Sequence, residues 1–99
     1  MIADTHLSER APECVANWRA AARAIEAADP DLTIHLGDIT LDGEHQPDDM
    51  RFAAQFVRAW PTPMYCVLGN HDMGNGSGEE TLAVQALGRC ISAFGPSRW

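Results

Sequence analysis

The sequence encodes an α/β fold of order β-α-β-α-β-α with parallel strands. Three short β-rich runs alternate with amphipathic stretches long enough to carry the chain back across a sheet. Each β-rich run stops abruptly at polar residues: Asp4-Thr5-His6, Gly37-Asp38 and Gly69-Asn70-His71-Asp72. Strand-helix-strand connections of this kind are right-handed, so successive strands run in one direction and their carboxyl ends share one edge. Open α/β sheets hold ligands at that edge.

The elements follow in order. Met1 to Ala3 reads as a first strand with almost no lead-in, and the chain is expected to be clipped at its start. From Pro12 to Ala28, Val15, Trp18, Ala22 and Ile25 recur at three- and four-residue spacing, the mark of an amphipathic helix, and Pro12 suits its first turn. Asp29-Pro30-Asp31 breaks it, and Leu32 to Leu36 forms the second strand. A second helix runs from Pro47 or Asp48 to Trp60, with Phe52, Phe56, Val57 and Trp60 on one face, until Pro61 and Pro63 end it.

Met64 to Leu68 is nearly all apolar, which predicts a strand covered on both faces. After a glycine-rich stretch from Gly74 to Gly78, read as a flexible connection, a last helix spans Glu79 to Phe94 with Ala83, Leu87, Cys90, Ile91 and Phe94 on one side. Gly88 weakens it. Gly95 to Trp99 reads as a turn entering a further strand, so the fold is expected to be incomplete at the C-terminus, with residues 1–99 the N-terminal part of a single domain.

Composition narrows the function. The net charge of −7 offers no basic surface for a run of nucleic-acid phosphates, so no nucleic acid polymer is expected as a partner. All seven basic residues are arginine, which excludes a phosphate-gripping P-loop lysine and a Schiff-base lysine. Cys14, Cys66 and Cys90 are odd in number and far apart, which suits reduced, buried thiols better than a disulfide framework or a zinc knuckle. With no signal segment and no apolar run of spanning length, a soluble cytoplasmic protein without a membrane partner is the expectation.

Asp4 and His6, Asp38, and Asn70 and His71 all follow predicted strands, and the topology gathers them at one edge. In an extended segment Asp4 and His6 would point to the same side and reach one ion. Carboxylate, imidazole and amide oxygen make a mixed donor set that suits Mn, Fe or Zn better than Ca. Asp38, after a glycine that permits a sharp turn, could bridge two ions with its two oxygens. A neutral Asn70 leaves its ion more Lewis-acidic, and His71 is available to protonate a leaving alkoxide, with Asp72 as its candidate orienter. Positive charge for an anionic phosphate would then come from divalent metal.

These three motifs, in this order, resemble the first three of the calcineurin-like metallophosphoesterase superfamily. The loop Gly37 to Gly43 and Phe94-Gly95-Pro96 are similar to its cyclic-nucleotide phosphodiesterase and purple-acid-phosphatase-like branch. The resemblance implies the front half of an αββα sandwich and a dinuclear site of divalent or trivalent ions. Asp4, His6 and Asp38 would hold the first ion, Asp38 and Asn70 the second, and His71 would be the catalytic histidine. A metal-bound hydroxide would attack a phosphate monoester or diester of a small molecule or nucleotide. The family completes its site with a later lone histidine and a Gly-His-x-His motif, neither of which occurs in these 99 residues.

Taken singly, Asp-x-His or Gly-Asp reads as a loop or capping element; it is three motifs at three strand ends that point to a metal site. His35 reads as a packed or edge histidine and His45 as solvated. Two other functions compete: a truncated metal-binding or interaction remnant without turnover, and a phosphoryl-accepting α/β protein using Asp4 or Asp38, which the missing lysine opposes. Apolar surface left uncovered by a second sheet is expected to promote self-association.

Overall fold

A computed structural model of the chain describes residues 1–74 and 80–94. Residues 75–79, the side chains of residues 80–84 and 86, and residues 95–99 lie outside what is described, and with them most of the expected glycine-rich connection, Ala83 and the expected closing turn. Among the described residues the sheet has two parallel strands, β1 (Thr33–His35) and β2 (Met64–Cys66), in the register Thr33 to Met64 and His35 to Cys66.

The expected first strand is reduced to a parallel bridge between Ile2 and His35. Leu36 N–H donates to Ile2 O and Val67 N–H donates to His35 O, so β1 lies between the amino-terminal segment and β2. The strand does not continue because Asp4 and His6 take left-handed backbone angles, φ 53° and 45°, which no extended run accommodates. The segment still tracks its neighbour: Asp4, His6 and Leu7 N–H donate to Gly37, Asp38 and Ile39 O, and Leu7 bridges Thr40. The full β-α-β-α-β-α order is thus present only in part.

The helices sit where the apolar spacing placed them. α1 (Pro12–Ala28) opens on its proline and closes on Asp29, whose left-handed backbone (φ 48°) lets its N–H bond Ile25 O. α2 (Pro47–Arg58) carries Asp48 and Asp49 in its first turn and Arg58 in its last, each matched to the helix dipole. One element was not foreseen. α3 (Asn70–Met73) is a single turn, too short to show a periodicity, and the Asp72 carboxylate stabilises it by accepting the Gly69 N–H at 3.0 Å. α4 is Glu80–Phe94.

α1, α2 and α4 bury one face of the sheet. Leu7, Trp18, Ile39, Met50, Ala53, Trp60, Met64, Cys66, Cys90 and Phe94 form the core. Trp18 meets Trp60 edge-on with ring centres 4.5 Å apart, and Trp60 Nε1 donates to Thr33 Oγ1, so the indole is buried without stranding its N–H. Cys66 and Cys90 are buried thiols as expected, and burial pushes Cys90 up to about 12, which keeps it protonated and inert.

The second face differs from expectation. Both strands alternate buried-exposed-buried, and Ile34, Leu36, Tyr65 and Val67 remain exposed on the opposite side, Tyr65 and Val67 by more than half. An all-apolar run shows that both faces suit burial; what covers each is decided by elements elsewhere. No helix among the described residues is long and apolar enough to cross a membrane.

His35, fully buried in β1, is the packed histidine that was expected. Its Nδ1 accepts the Gly37 N–H, which places the ring proton on Nε2, 2.9 Å from Thr5 Oγ1; that hydroxyl in turn donates to Ile39 O. Burial lowers the ring's pKa from 6.5 to about 4, against the opposing pull of Asp72, Asp4 and Asp38. Between these values the unfolded ring binds a proton that the folded ring refuses. The contribution of His35 to stability is therefore full above pH 6.5 and is lost as pH falls toward about 4. Thermal unfolding across that window should show the decline, and His35→Gln should flatten it relative to the parent chain; parallel profiles would rule out the neutral buried ring as its cause.

Candidate metal centre

Two glycine-led loops meet at the carboxyl ends of β1 and β2. Gly37 has φ 109°, and a Cβ there would lie 2.8 Å from the Gly69 amide nitrogen. A Cβ on Gly69 would lie 2.0 Å from Asp38 Oδ1. Both approaches are closer than any side chain allows, so the glycine before Asp38 and the glycine before Asn70 fit against each other because neither has a side chain.

Asp72 locks the two loops together. Its side chain is fully buried. Oδ2 accepts from Ile39 and Gly69 N–H, and Oδ1 accepts from Thr40 N–H and Thr40 Oγ1, all at 2.8–3.2 Å. Thr40 Oγ1 also accepts from Gly43 N–H, extending the tie into the following turn. Asp72 is therefore not the orienter of His71, as the adjacent position had suggested. In the one-turn helix α3 neighbouring side chains diverge by about 100°, so adjacency in sequence separates them in space.

His71 is oriented by a backbone carbonyl. Its Nδ1 lies 2.7 Å from Leu41 O, and a carbonyl only accepts, so the proton resides on Nδ1 and Nε2 presents its lone pair. The His71 N–H donates to Asp38 Oδ1 at 2.9 Å, which anchors that carboxylate. His6 faces His71 edge-on with ring centres 4.6 Å apart. His6, Asp38 and His71 thus converge, each half-buried, with one ligand-capable atom from each within 4.8 Å of the others.

Asp4 and Asn70 are placed differently. Asp4 is exposed and is not part of that group of three; it borders a cavity of about 280 Å³ formed with Thr5, Cys14 and Trp18. The expected same-side geometry of Asp4 and His6 required an extended segment, and the left-handed turns at both residues replace it. Asn70 is exposed as the first residue of α3. Among the described residues, Asp4, His6 and Asp38 are three of the four non-glycine positions with positive φ, the fourth being the cap of α1. Such backbone costs about 1–3 kcal/mol per residue and gathers where geometry serves chemistry.

Nearby groups are otherwise engaged. Exposed His45 bonds Asp42 at 2.8 Å, and that bond, with Glu44 beside it, raises its pKa. Sequence reasoning missed the Leu41 carbonyl, since every residue has one and none advertises its direction. It also missed Thr40, whose hydroxyl is tied to Asp72; a threonine two residues after Gly37-Asp38 was the available signal.

The family model for calcineurin-like phosphoesterases matches residues 1–96. The chain belongs to that family. No curated protein matches the chain. Calcineurin-like phosphoesterases are metal-dependent, and the residues present fit a metal. His6 Nδ1 is buried with no hydrogen-bond partner, a costly state for an imidazole nitrogen, and it lies in the same group as a carboxylate and a second imidazole. The His6 imidazole nitrogen and the Asp38 carboxylate are donors suited to first-row divalent ions, and the His71 ring stands beside them.

Because a Cβ on Gly69 would overlap both the carboxylate and the backbone nitrogen of Asp38, Gly69→Ala should displace Asp38 while leaving every ligand in the sequence. Calorimetric titration with Mn²⁺ should show affinity reduced about 10-fold or more, with the circular dichroism spectrum retained. Unchanged affinity would mean that Asp38 does not take part in binding.

Proposed function

We propose that this protein hydrolyses phosphate esters, mono- or diesters of small molecules or nucleotides, at a centre of two metal ions held by Asp4, His6, Asp38 and Asn70, with His71 as the catalytic histidine. The observation that carries the reading is the convergence of His6, Asp38 and His71 within 4.8 Å at the meeting of two glycine-led loops. When bound, the metal supplies Lewis acidity for the phosphoryl oxygens and lowers the pKa of an attacking water. The chain has no lysine and a net charge of −7, so its own side chains offer little cationic substitute.

The protein's part is positioning. The His71 N–H fixes one oxygen of Asp38, leaving the other oxygen and the remaining lone pairs to face the site. With Nδ1–H held by Leu41 O, His71 presents Nε2, and a proton carried there can pass to the leaving alkoxide as its bond to phosphorus breaks. Inversion of the ring would break the Leu41 contact, so the histidine stays in the productive orientation. Asp4 and Asn70 are both exposed, so each side chain is open to an arriving ion.

Hydrolysis of bis-p-nitrophenyl phosphate and p-nitrophenyl phosphate with added Mn²⁺, Fe²⁺ or Zn²⁺ tests the proposal. Turnover should vanish with chelator and return with metal, and Asp38→Asn should weaken metal binding about 10- to 100-fold and remove activity. Metal binding without hydrolysis of either ester would favour the remnant reading. Failure of both would sink the site.

The exposed face of Ile34, Leu36, Tyr65 and Val67 is proposed to drive self-association of the 99-residue chain. Sedimentation velocity should show concentration-dependent dimers or larger species, shifted to monomer by Val67→Lys; a monomer at all concentrations in the parent chain would contradict it.

A further inference from the structure

The bonds of the Asp72 carboxylate join the loop of Asp38 to the loop of His71. The amino-terminal loop, which carries Asp4 and His6, receives none of them. It is held by other ties. Asp4 N–H donates to Gly37 O and His6 N–H donates to Asp38 O, one on either side of Thr5. Thr5 thus sits between two left-handed residues, Asp4 at φ 53° and His6 at φ 45°. Such backbone persists only where its surroundings over-determine it.

The Thr5 side chain supplies a further tie. Its Oγ1 lies 2.9 Å from His35 Nε2 and donates to Ile39 O at 3.3 Å. His35 Nδ1 accepts the Gly37 N–H at 3.2 Å, so Nε2 carries the ring proton and Thr5 Oγ1 receives it. The chain of bonds therefore has one sense: Gly37 N–H to His35, His35 to Thr5, Thr5 to Ile39 O. It starts one residue before Asp38 and ends one residue after it. Completing it takes an atom that accepts and donates at once, and a hydroxyl oxygen does both.

His35 is a firm anchor for this relay. It is fully buried in β1, its ring is stacked on Trp18 with centres 6.2 Å apart, and its backbone pairs with Ile2 on one side and Cys66 on the other. The His6 ring, by contrast, has no bond at its buried Nδ1 to aim it, and it meets His71 edge-on. Its direction follows from the path of the backbone at residue 6, beside Thr5.

We propose that Thr5 is a positioning residue for the metal centre, its hydroxyl fixing the loop of Asp4 and His6 against the loop of Asp38. The role rests on the metal-centre reading and adds to it the side chain that sets the spacing of these two loops. The outer residues of Asp4-Thr5-His6 are the candidate ligands, while the middle one turns inward to His35. A hydroxyl serving stability alone would change the thermal midpoint and leave the affinity for metal as it was. A hydroxyl that spaces the ligands changes affinity out of proportion to stability.

The test compares Thr5→Val, Thr5→Ser and Thr33→Val in the full chain. Valine matches threonine in shape without the hydroxyl, and serine keeps the hydroxyl. Thr33 is the control: its buried hydroxyl accepts from Trp60 Nε1 and bonds Thr62 Oγ1 at the amino end of β1, opposite to the end that carries the loops. Calorimetric titration with Mn²⁺ should show affinity reduced about 10-fold or more in Thr5→Val and parent-like in Thr5→Ser and Thr33→Val, while Thr33→Val lowers the thermal midpoint. Without metal, amide hydrogen exchange at Asp4 and His6 should quicken in Thr5→Val and stay parent-like in Thr5→Ser. Parent-like affinity or exchange in Thr5→Val, no rescue by Thr5→Ser, or an equal loss of affinity in Thr33→Val would each overturn the role. A parent chain that binds no Mn²⁺ would overturn the metal-centre reading and this role with it, so the parent's own titration tells the two failures apart.

Discussion

The carboxylate of Asp72 holds this molecule's working edge together. It is fully buried, yet it meets three backbone N–H groups and a hydroxyl, so the cost of burying a charge is offset by charge-assisted hydrogen bonds from two loops that are more than thirty residues apart. One loop carries Asp38 and the other carries His71. Their separation is therefore set by a side chain that does not belong to the group of three it brings together. The arrangement also explains the one-turn helix α3, which exists because Asp72 reaches back to cap it.

Much of this was legible in the sequence. Helices α1 and α2 could be located because proline, acidic first turns and apolar spacing all agree there, and local signals that agree are the readable ones. Residues Asp38 and His71 could be placed at strand ends because a polar motif after a β-rich run needs no distant information. The first strand, read over Met1 to Ala3, is reduced to a bridge at Ile2, and the extended reading of Asp4 and His6 beyond it failed because their left-handed backbone accompanies pairing with the loop from Gly37 to Ile39. Exposure of Tyr65 and Val67 was illegible for a related reason: a strand's own residues say what it tolerates, and its neighbours decide what it receives.

Asp72 and Leu41 mark the limit more sharply. The proximity of Asp72 to His71 in sequence suggested a partnership, and the structure assigns the carboxylate to the opposite loop and the histidine to a carbonyl. A bond to a side chain can be guessed from residue type, but a bond to a main-chain oxygen follows only from the path of the chain. Membership in the calcineurin-like phosphoesterase family, by contrast, was visible from three short motifs, since those motifs are where backbone and chemistry are constrained at once.

The fit between Gly37 and Gly69 has a consequence for how such a site can vary. The two glycines occupy one shared gap, each defining the space the other lacks. A side chain added to either pushes on the opposite loop, so no single substitution at one can be rescued by shrinking the other, which is already as small as a residue can be. Sequence drift around this edge is thereby one-directional: surrounding positions are open to exchange, while the gap itself admits no compensating pair. A site built on such a gap can lose its activity by many routes, but it cannot be rebuilt around a larger residue without redrawing both loops.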